Sequence, residues 1–142
     1  MRFLIGVSGA LLVAACAGSD RALPLELQQA SANRAVAAQL NGTWVEQNLV
    51  IGSAFVLQFT AQDTIVTGTG TYAIEAGRSG TLTVSGVVHD QQRLHLDIVY
   101  DYGPQSQFDG SLADQNALKG VLHYGPPSAL SPSYAATFSR KP

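Results

Sequence analysis

Residues 64–75 read TIVTGTGTYAIE, and this stretch decides the fold class. Threonine occupies every second position from 67 to 71, while valine, glycine, tyrosine and isoleucine fill the alternate positions. A period of two places successive side chains on opposite faces of a β-strand. The stretch therefore predicts a strand with one face in the core and the other in water.

The same period extends from Gly42 to Arg140. Eight segments separated by turn-forming residues are predicted as strands: 42–49, 53–61, 64–75, 80–89, 93–102, 106–112, 117–124 and 134–140. Their apolar phase, predicted to face inward, comprises Phe55, Leu57, Phe59, Val66, Tyr72, Ile74, Leu82, Val84, Val88, Leu94, Leu96, Ile98, Tyr100, Phe108, Leu112, Leu118, Leu122, Tyr124, Tyr134 and Phe138. No helical pattern interrupts the series, which predicts an all-β fold, an eight-stranded antiparallel up-and-down barrel with a short N-terminal helix.

Five glycines fall in the inward phase within strands: Gly68, Gly70, Gly86, Gly110 and Gly120. Glycine inside a strand permits a sharp bend or a close backbone approach. The first interpretation is therefore curvature, which a closed barrel requires. The second is a cavity left by the missing side chains.

Residues before the barrel have a different character. Residues 25–41 contain helix formers without proline or glycine and are predicted as a short helix, with Leu25, Ala32, Val36 and Leu40 on one face. Residues 1–15 are apolar or small after one basic residue, as in a secretory signal peptide. The predicted organisation is signal peptide 1–15, tether 16–24, helix 25–41 and barrel domain 42–142.

The segment LVAAC, residues 12–16, resembles the lipobox of bacterial lipoproteins. That resemblance implies lipid on Cys16 and a membrane partner reached through that lipid. Residue 17 is alanine instead of the aspartate that retains lipoproteins in the inner membrane of enteric bacteria. The implied location is the cell envelope, at the outer membrane facing the periplasm. The alternative is ordinary signal peptidase cleavage after Ala17.

Composition excludes several classes of protein. Ten acidic and eight basic residues give a formal net charge of −2, which does not suit a phosphate backbone, so no nucleic-acid partner is expected. A single cysteine cannot form an internal disulfide. The remaining class is an ordinary globular domain.

Trp44 begins the first predicted strand as part of Gly42-Thr43-Trp44, and Arg140 ends the last. In an up-and-down barrel these two positions are neighbours, so the guanidinium is predicted to lie over the indole and close the barrel. This arrangement resembles the calycins, the lipocalins and avidins, whose barrels close with a Gly-x-Trp and a late arginine. The resemblance implies a calycin-like small β-barrel.

A narrower likeness to avidin and streptavidin covers the opening strands. It implies that Ser53 and Tyr72 match positions whose hydroxyls bind the ureido group of biotin. Glu46 stands where that family has an asparagine, Ile74 replaces a serine, and the chain has one tryptophan where biotin sites stack several. Biotin is therefore not the expected ligand.

All five tyrosines are predicted to face inward at the barrel end opposite the Trp44–Arg140 pair: Tyr72, Tyr100, Tyr102, Tyr124 and Tyr134. A tyrosine offers an apolar ring and a hydroxyl that needs a partner when buried. The leading hypothesis is non-catalytic binding of a small amphipathic ligand at this end. The alternative is that the phenols simply line a rim with their hydroxyls in water.

The predicted loop 125–133 belongs to the same end and contains three prolines. It is either a connector or a contact loop, and the contact loop would make the chain a protein-binding module, a protease inhibitor or envelope assembly accessory. The outer face is predicted to contain three solvated side chains, those of His95, Asp97 and His123. His89 is predicted in an exposed turn. No catalytic signature appears, so no enzyme activity, metal or cofactor is expected.

Overall fold

The computed structural model describes residues 23–48, 52–74, 77–125 and 132–142. Helix α1 spans Leu25–Leu40, and a 3₁₀ helix spans Asp90–Gln92. The strands are β1 Gly42–Asn48, β2 Ser53–Gln62, β3 Ile65–Ile74, β4 Arg78–Val88, β5 Leu94–Tyr100, β6 Gln105–Asp114, β7 Ala117–Tyr124 and β8 Ser133–Arg140. Among these residues, no helix is long and apolar enough to cross a membrane.

The eight strands form a closed barrel in sequence order, with every neighbouring pair antiparallel. Closure occurs between β1 and β8, where Trp44 pairs with Arg140 and Val45 with Ser139. Because a closed barrel has no free strand edge, all the ladders are internally paired. The predicted fold class is confirmed.

The apolar phase predicted from the sequence faces the interior. All its members are buried or packed against the buried core, including fully buried Phe55, Leu57, Phe108 and Phe138. These side chains fill the middle of the barrel, so the interior there is a packed core. Such filling is typical of eight-stranded barrels.

The inward glycines support the curvature interpretation. A Cβ at Gly70 would lie 2.9 Å from the Leu57 Cδ2 atom and would collide with the Val56 carbonyl. A Cβ at Gly120 would collide with a neighbouring-strand carbonyl and lie 2.7 Å from the Phe108 ring. The space that these glycines leave is therefore occupied by the core and by the close approach of adjacent strands.

Most strand boundaries differ from the prediction by one or two residues, and two of these differences have a visible cause. β5 ends at Tyr100 because a turn follows, in which the Gly103 N–H donates to the Tyr100 carbonyl at 3.0 Å and Gly103 has φ of 103°. β4 begins at Arg78, two residues earlier than predicted, because Arg78 and Ser79 still pair with the end of β3.

Helix α1 covers the barrel end at which β1 begins. It contacts the end of β2, the start of β3, the end of β4 and the 3₁₀ helix. Its buried residues are Asn33, Val36, Ala37 and Leu40. Leu25, predicted to share that face, is 78% exposed, because the buried part of the helix begins only at Asn33.

Candidate functional site

The barrel end near α1 is closed by the predicted aromatic–cation pair. The Arg140 guanidinium carbon lies 4.5 Å from the centroid of the Trp44 ring, and Trp44 Nε1 donates to the Leu40 carbonyl at 2.7 Å. Arg140 also donates to the carbonyls of Asn41, at 2.6 Å, and Gln39. Because these carbonyls belong to the end of α1, the arginine fastens the helix across the barrel.

Three tyrosines cluster on one side of the opposite end. The Tyr72 and Tyr100 rings pack edge to face with centroids 5.0 Å apart, and Tyr102 lies 5.8 Å from Tyr72 and 5.5 Å from Tyr100. The inward prediction for Tyr102 is wrong, since this residue lies in the turn after β5 and is 43% exposed. Its ring covers the other two from outside.

Tyr124 on β7 and Tyr134 on β8 form a second pair, with ring centroids 5.6 Å apart. The Tyr134 hydroxyl lies 3.3 Å from the Ser53 hydroxyl, and both groups influence the pKa of the Tyr124 phenol. Burial raises the pKa of both phenols, so they are neutral donors and acceptors at physiological pH. The structure thus brings all five predicted tyrosines to one end of the barrel, which we call the tyrosine end.

Polar partners hold the first cluster in place. The Tyr72 hydroxyl donates to Asp101 Oδ1 at 3.0 Å, and the Thr81 N–H donates to Asp101 Oδ2 at 2.7 Å. The backbone hydrogen bond from Thr81 lowers the pKa of Asp101, partly opposed by desolvation and reinforced by the Tyr72 hydroxyl. Arg78 lies over the Tyr102 ring, 4.8 Å from its centroid.

Tyr100 has an interior partner of its own. Its hydroxyl lies 3.1 Å from the hydroxyl of Ser106, which is completely buried. Burial raises the pKa of Tyr100 despite this hydrogen bond. The layer above the apolar core is therefore made of phenol rings and hydroxyls.

Glu46 is the functional candidate that sequence reasoning missed. It lies on β1 two residues after Trp44, opposite Phe55 of β2, and is only 3% exposed. Its Oε2 atom has no hydrogen-bond partner in the part of the chain that is described. Burial raises its pKa from 4.5 to about 7, and its charge raises the pKa of both Tyr124 and Tyr134. The signal was available, because a period of two from Trp44 places Glu46 inside.

The outer-face histidine region forms ordinary surface contacts. His95 Nδ1 lies 2.7 Å from Asp109 Oδ1, and His95 Nε2 lies 3.7 Å from Asp97 Oδ1. His89 is exposed, as predicted. The described residues contain no cluster of three or more histidine, cysteine or acidic side chains suited to a metal ion.

Four predicted features lie wholly or partly outside the described residues: the signal peptide 1–15, Cys16, the tether 16–24 and the loop 125–133.

Comparisons with known proteins support the fold. No protein-family model and no curated protein matches the chain. A solved structure described as "Structure of EF1p2_mFAP2b bound to DFHBI" is similar to it, with a TM-score of 0.62 and 21% sequence identity, over 77% of this chain and 98% of that one. The similarity is consistent with a calycin-like barrel, and at this identity it is evidence of fold alone.

Proposed function

We propose that this chain is a lipid-anchored protein of the cell envelope whose barrel binds a small amphipathic molecule, without catalysis, at the tyrosine end. The observation that carries the binding proposal is the collection of all five tyrosines at one end of a closed barrel. The other end is fastened by Trp44, Arg140 and the helix.

The chemistry of the tyrosine end suits an amphipathic ligand. Phenol rings present apolar faces, and the hydroxyls of Ser53, Tyr124 and Tyr134 supply donors and acceptors beside them. Below this layer the barrel is filled by apolar side chains. A ligand would therefore sit at the mouth instead of deep within the barrel. The similar solved structure, described as bound to DFHBI, supports a bound small molecule as a use of this architecture.

The anchor is supported by the sequence. Residues 12–16 read LVAAC, and acylation would account for the single cysteine. Bacterial lipoproteins carry more than one acyl chain, and stable anchoring requires more than one. The outer membrane is the proposed site because Ala17 follows the cysteine.

The binding proposal is tested by native mass spectrometry of full-length protein purified in mild detergent from cells that make it. We expect a small-molecule adduct on the wild type that is lost from the double variant Tyr100→Ala/Tyr124→Ala. Since the buried Tyr100 also supports folding, Tyr124→Phe/Tyr134→Phe provides a second variant that removes two hydroxyls and keeps both rings. A wild type without an adduct, or with a protein partner instead, would contradict the proposal.

The anchor is tested separately by membrane fractionation. Cys16→Ser should move the protein from the membrane fraction to the soluble fraction, with Ser19→Ala as a control that leaves the LVAAC segment intact. An unchanged distribution would refute acylation. Separation of inner from outer membranes then tests the location.

A further inference from the structure

The tyrosine end contains one acidic side chain inside the barrel wall. Glu46 is 3% exposed, and its Oε2 atom is buried without a hydrogen-bond partner among the described residues. The great majority of buried polar atoms in proteins have partners, so such an atom needs a specific explanation. Leucine, valine and phenylalanine occupy most inward positions of this barrel, and an apolar residue at position 46 would avoid the problem.

Among the described residues, no lysine, arginine or histidine is found to act on the Glu46 carboxyl. Its neighbour β2 contains no titratable residue, and the titratable groups that its charge affects are the phenols of Tyr124 on β7 and Tyr134 on β8. In the described part of the chain, the one arginine placed at this end, Arg78, is engaged with the ring of Tyr102. The segments 49–51, 75–76 and 126–131 contain no lysine, arginine or histidine in their sequences.

An ionised carboxylate in this position is therefore unbalanced. Removing a charge from water without pairing it is expensive, and proteins normally pair or neutralise such groups. At neutral pH the Glu46 carboxyl lies near the middle of its titration, since burial raises its pKa to about 7. A group that is poised in this way becomes fully ionised when a positive charge is placed beside it.

The neighbouring rings favour the same type of ligand. The charge of Glu46 acts on the Tyr124 and Tyr134 phenols, whose ring centroids lie 5.6 Å apart, and the face of a phenol attracts a cation. The hydroxyls of Ser53 and Tyr134 lie within the same group. A carboxylate and phenol rings at the same end of the barrel thus present two kinds of attraction for a positive charge.

We propose that the tyrosine end binds an organic monocation, an amine or quaternary ammonium attached to an apolar body, with its charge balanced by Glu46 and flanked by Tyr124 and Tyr134. This inference rests on the proposed function and names its ligand class. The apolar body would contact the phenol rings of the mouth, above the packed core.

The test uses three probes with one eight-carbon chain: octyltrimethylammonium, 1-octanol and octanoate. Binding to the full-length protein is measured by titration calorimetry at pH 6 and pH 8.5. Octyltrimethylammonium has a permanent charge, so only the protein titrates. Its affinity should rise about tenfold between the two pH values, because the ionised fraction of Glu46 increases across its pKa of about 7.

Glu46→Gln keeps the size of the side chain and removes its charge. We expect this variant to lose the pH dependence and to bind the cation at least about tenfold more weakly at pH 8.5 than the wild type. Glu26→Gln is the matched control, because it removes the same charge from an exposed position on α1 and should leave binding unchanged. Folding of both variants is checked by the fluorescence of Trp44, the single tryptophan.

The other outcomes separate this inference from the proposed function. If 1-octanol binds more tightly than the cation and its affinity falls as pH rises, a protonated Glu46 donates to neutral ligands. That result would reject the cation as the ligand class and would retain the proposed binding function. If no probe binds while the purified protein carries an adduct of its own, the cation is again overturned and the proposed function remains. If no probe binds and no adduct is found, both fail.

Discussion

The two ends of the barrel use similar residue types to opposite effect. At the closed end a cation, Arg140, lies over an aromatic ring and donates to backbone carbonyls of Gln39, Asn41 and Gln115. At the tyrosine end a buried acidic side chain, Glu46, lies opposite Phe55 with one carboxyl oxygen unpartnered among the described residues. The charge of Arg140 is balanced by groups of the chain itself, whereas the proposed partner of Glu46 is a bound ligand.

Chain direction explains the difference. Helix α1 runs directly into β1, so its last turn lies across the end where β1 starts and supplies carbonyls to Trp44 and Arg140. The tyrosine end is reached by the other ends of the same strands and has no corresponding helix in the described residues. We therefore expect substitutions at the closed end to reduce stability, whereas replacement of Glu46 at the tyrosine end should increase it.

Trp44→Ala should have the largest effect on stability. The ring is fully buried, contacts Arg140 and donates to Leu40, so its removal should lower the free energy of unfolding by about 3–5 kcal/mol. Urea denaturation followed by circular dichroism is the appropriate measurement, because the variant has no tryptophan to report by fluorescence. Tyr102→Ala, which removes a half-exposed ring at the other end, should cost less than about 1 kcal/mol. Equal losses for both would refute the division of roles.

Glu46→Gln should make the protein more stable, and only above acidic pH. Well below pH 4.5 the wild-type carboxyl is protonated in both the folded and unfolded states, so its ionisation does not change the free energy of unfolding. Between pH 4.5 and about 7 it ionises in the unfolded state alone, since burial raises the folded pKa, so stability falls as pH rises. A difference of one pKa unit corresponds to 1.36 kcal/mol. The shift from 4.5 to about 7 therefore lowers the wild-type free energy of unfolding by about 3 kcal/mol, and the full decrease is reached above pH 7.

The measurement is the difference in free energy of unfolding between Glu46→Gln and wild type, from pH 4 to pH 8. Other titrating groups cancel in this difference, including the phenols of Tyr124 and Tyr134, which stay neutral over the range. The difference should increase by about 3 kcal/mol with rising pH. A flat difference would mean that the carboxylate is compensated inside the protein, and the contrast between the two ends would disappear.

Arg140→Ala should cost about 2 kcal/mol, because a charged donor to three carbonyls is lost along with the contact to Trp44. Arg140→Lys keeps the charge without the planar fork and should recover less than half of that loss. Hydrogen exchange at the last turn of α1 provides the local readout, since the arginine fastens that turn. If Arg140→Lys matched the wild type, charge alone would account for the closure.

The closed end and the tyrosine end could be predicted from the sequence because both follow from strand order and a period of two. Once β1 and β8 are neighbours, Trp44 and Arg140 must meet, and an up-and-down path collects the tyrosines opposite them. Tyr102 could not be placed, because the turn at Gly103 ends β5 before the period reaches it. The period of two places Glu46 on the inner face of β1. It was overlooked as an inward residue because glutamate is rarely buried. The position of α1 depends on contacts between distant parts of the chain, and strand periodicity carries no information about such contacts.

Tyr72→Phe should have the smallest effect, about 1 kcal/mol, because it removes one hydrogen bond to Asp101 and leaves the ring in place. Asp101 keeps its bond from the Thr81 N–H, so the turn after β5 should persist. Tyr102→Phe is the matched control at a half-exposed ring and should cost nothing measurable in the same urea titration. A larger loss for Tyr72→Phe than for Tyr102→Phe would mean that the mouth is held in shape before any ligand arrives. Equal values would mean that the ring packing of Tyr72 against Tyr100 is enough to hold this end of the barrel in shape.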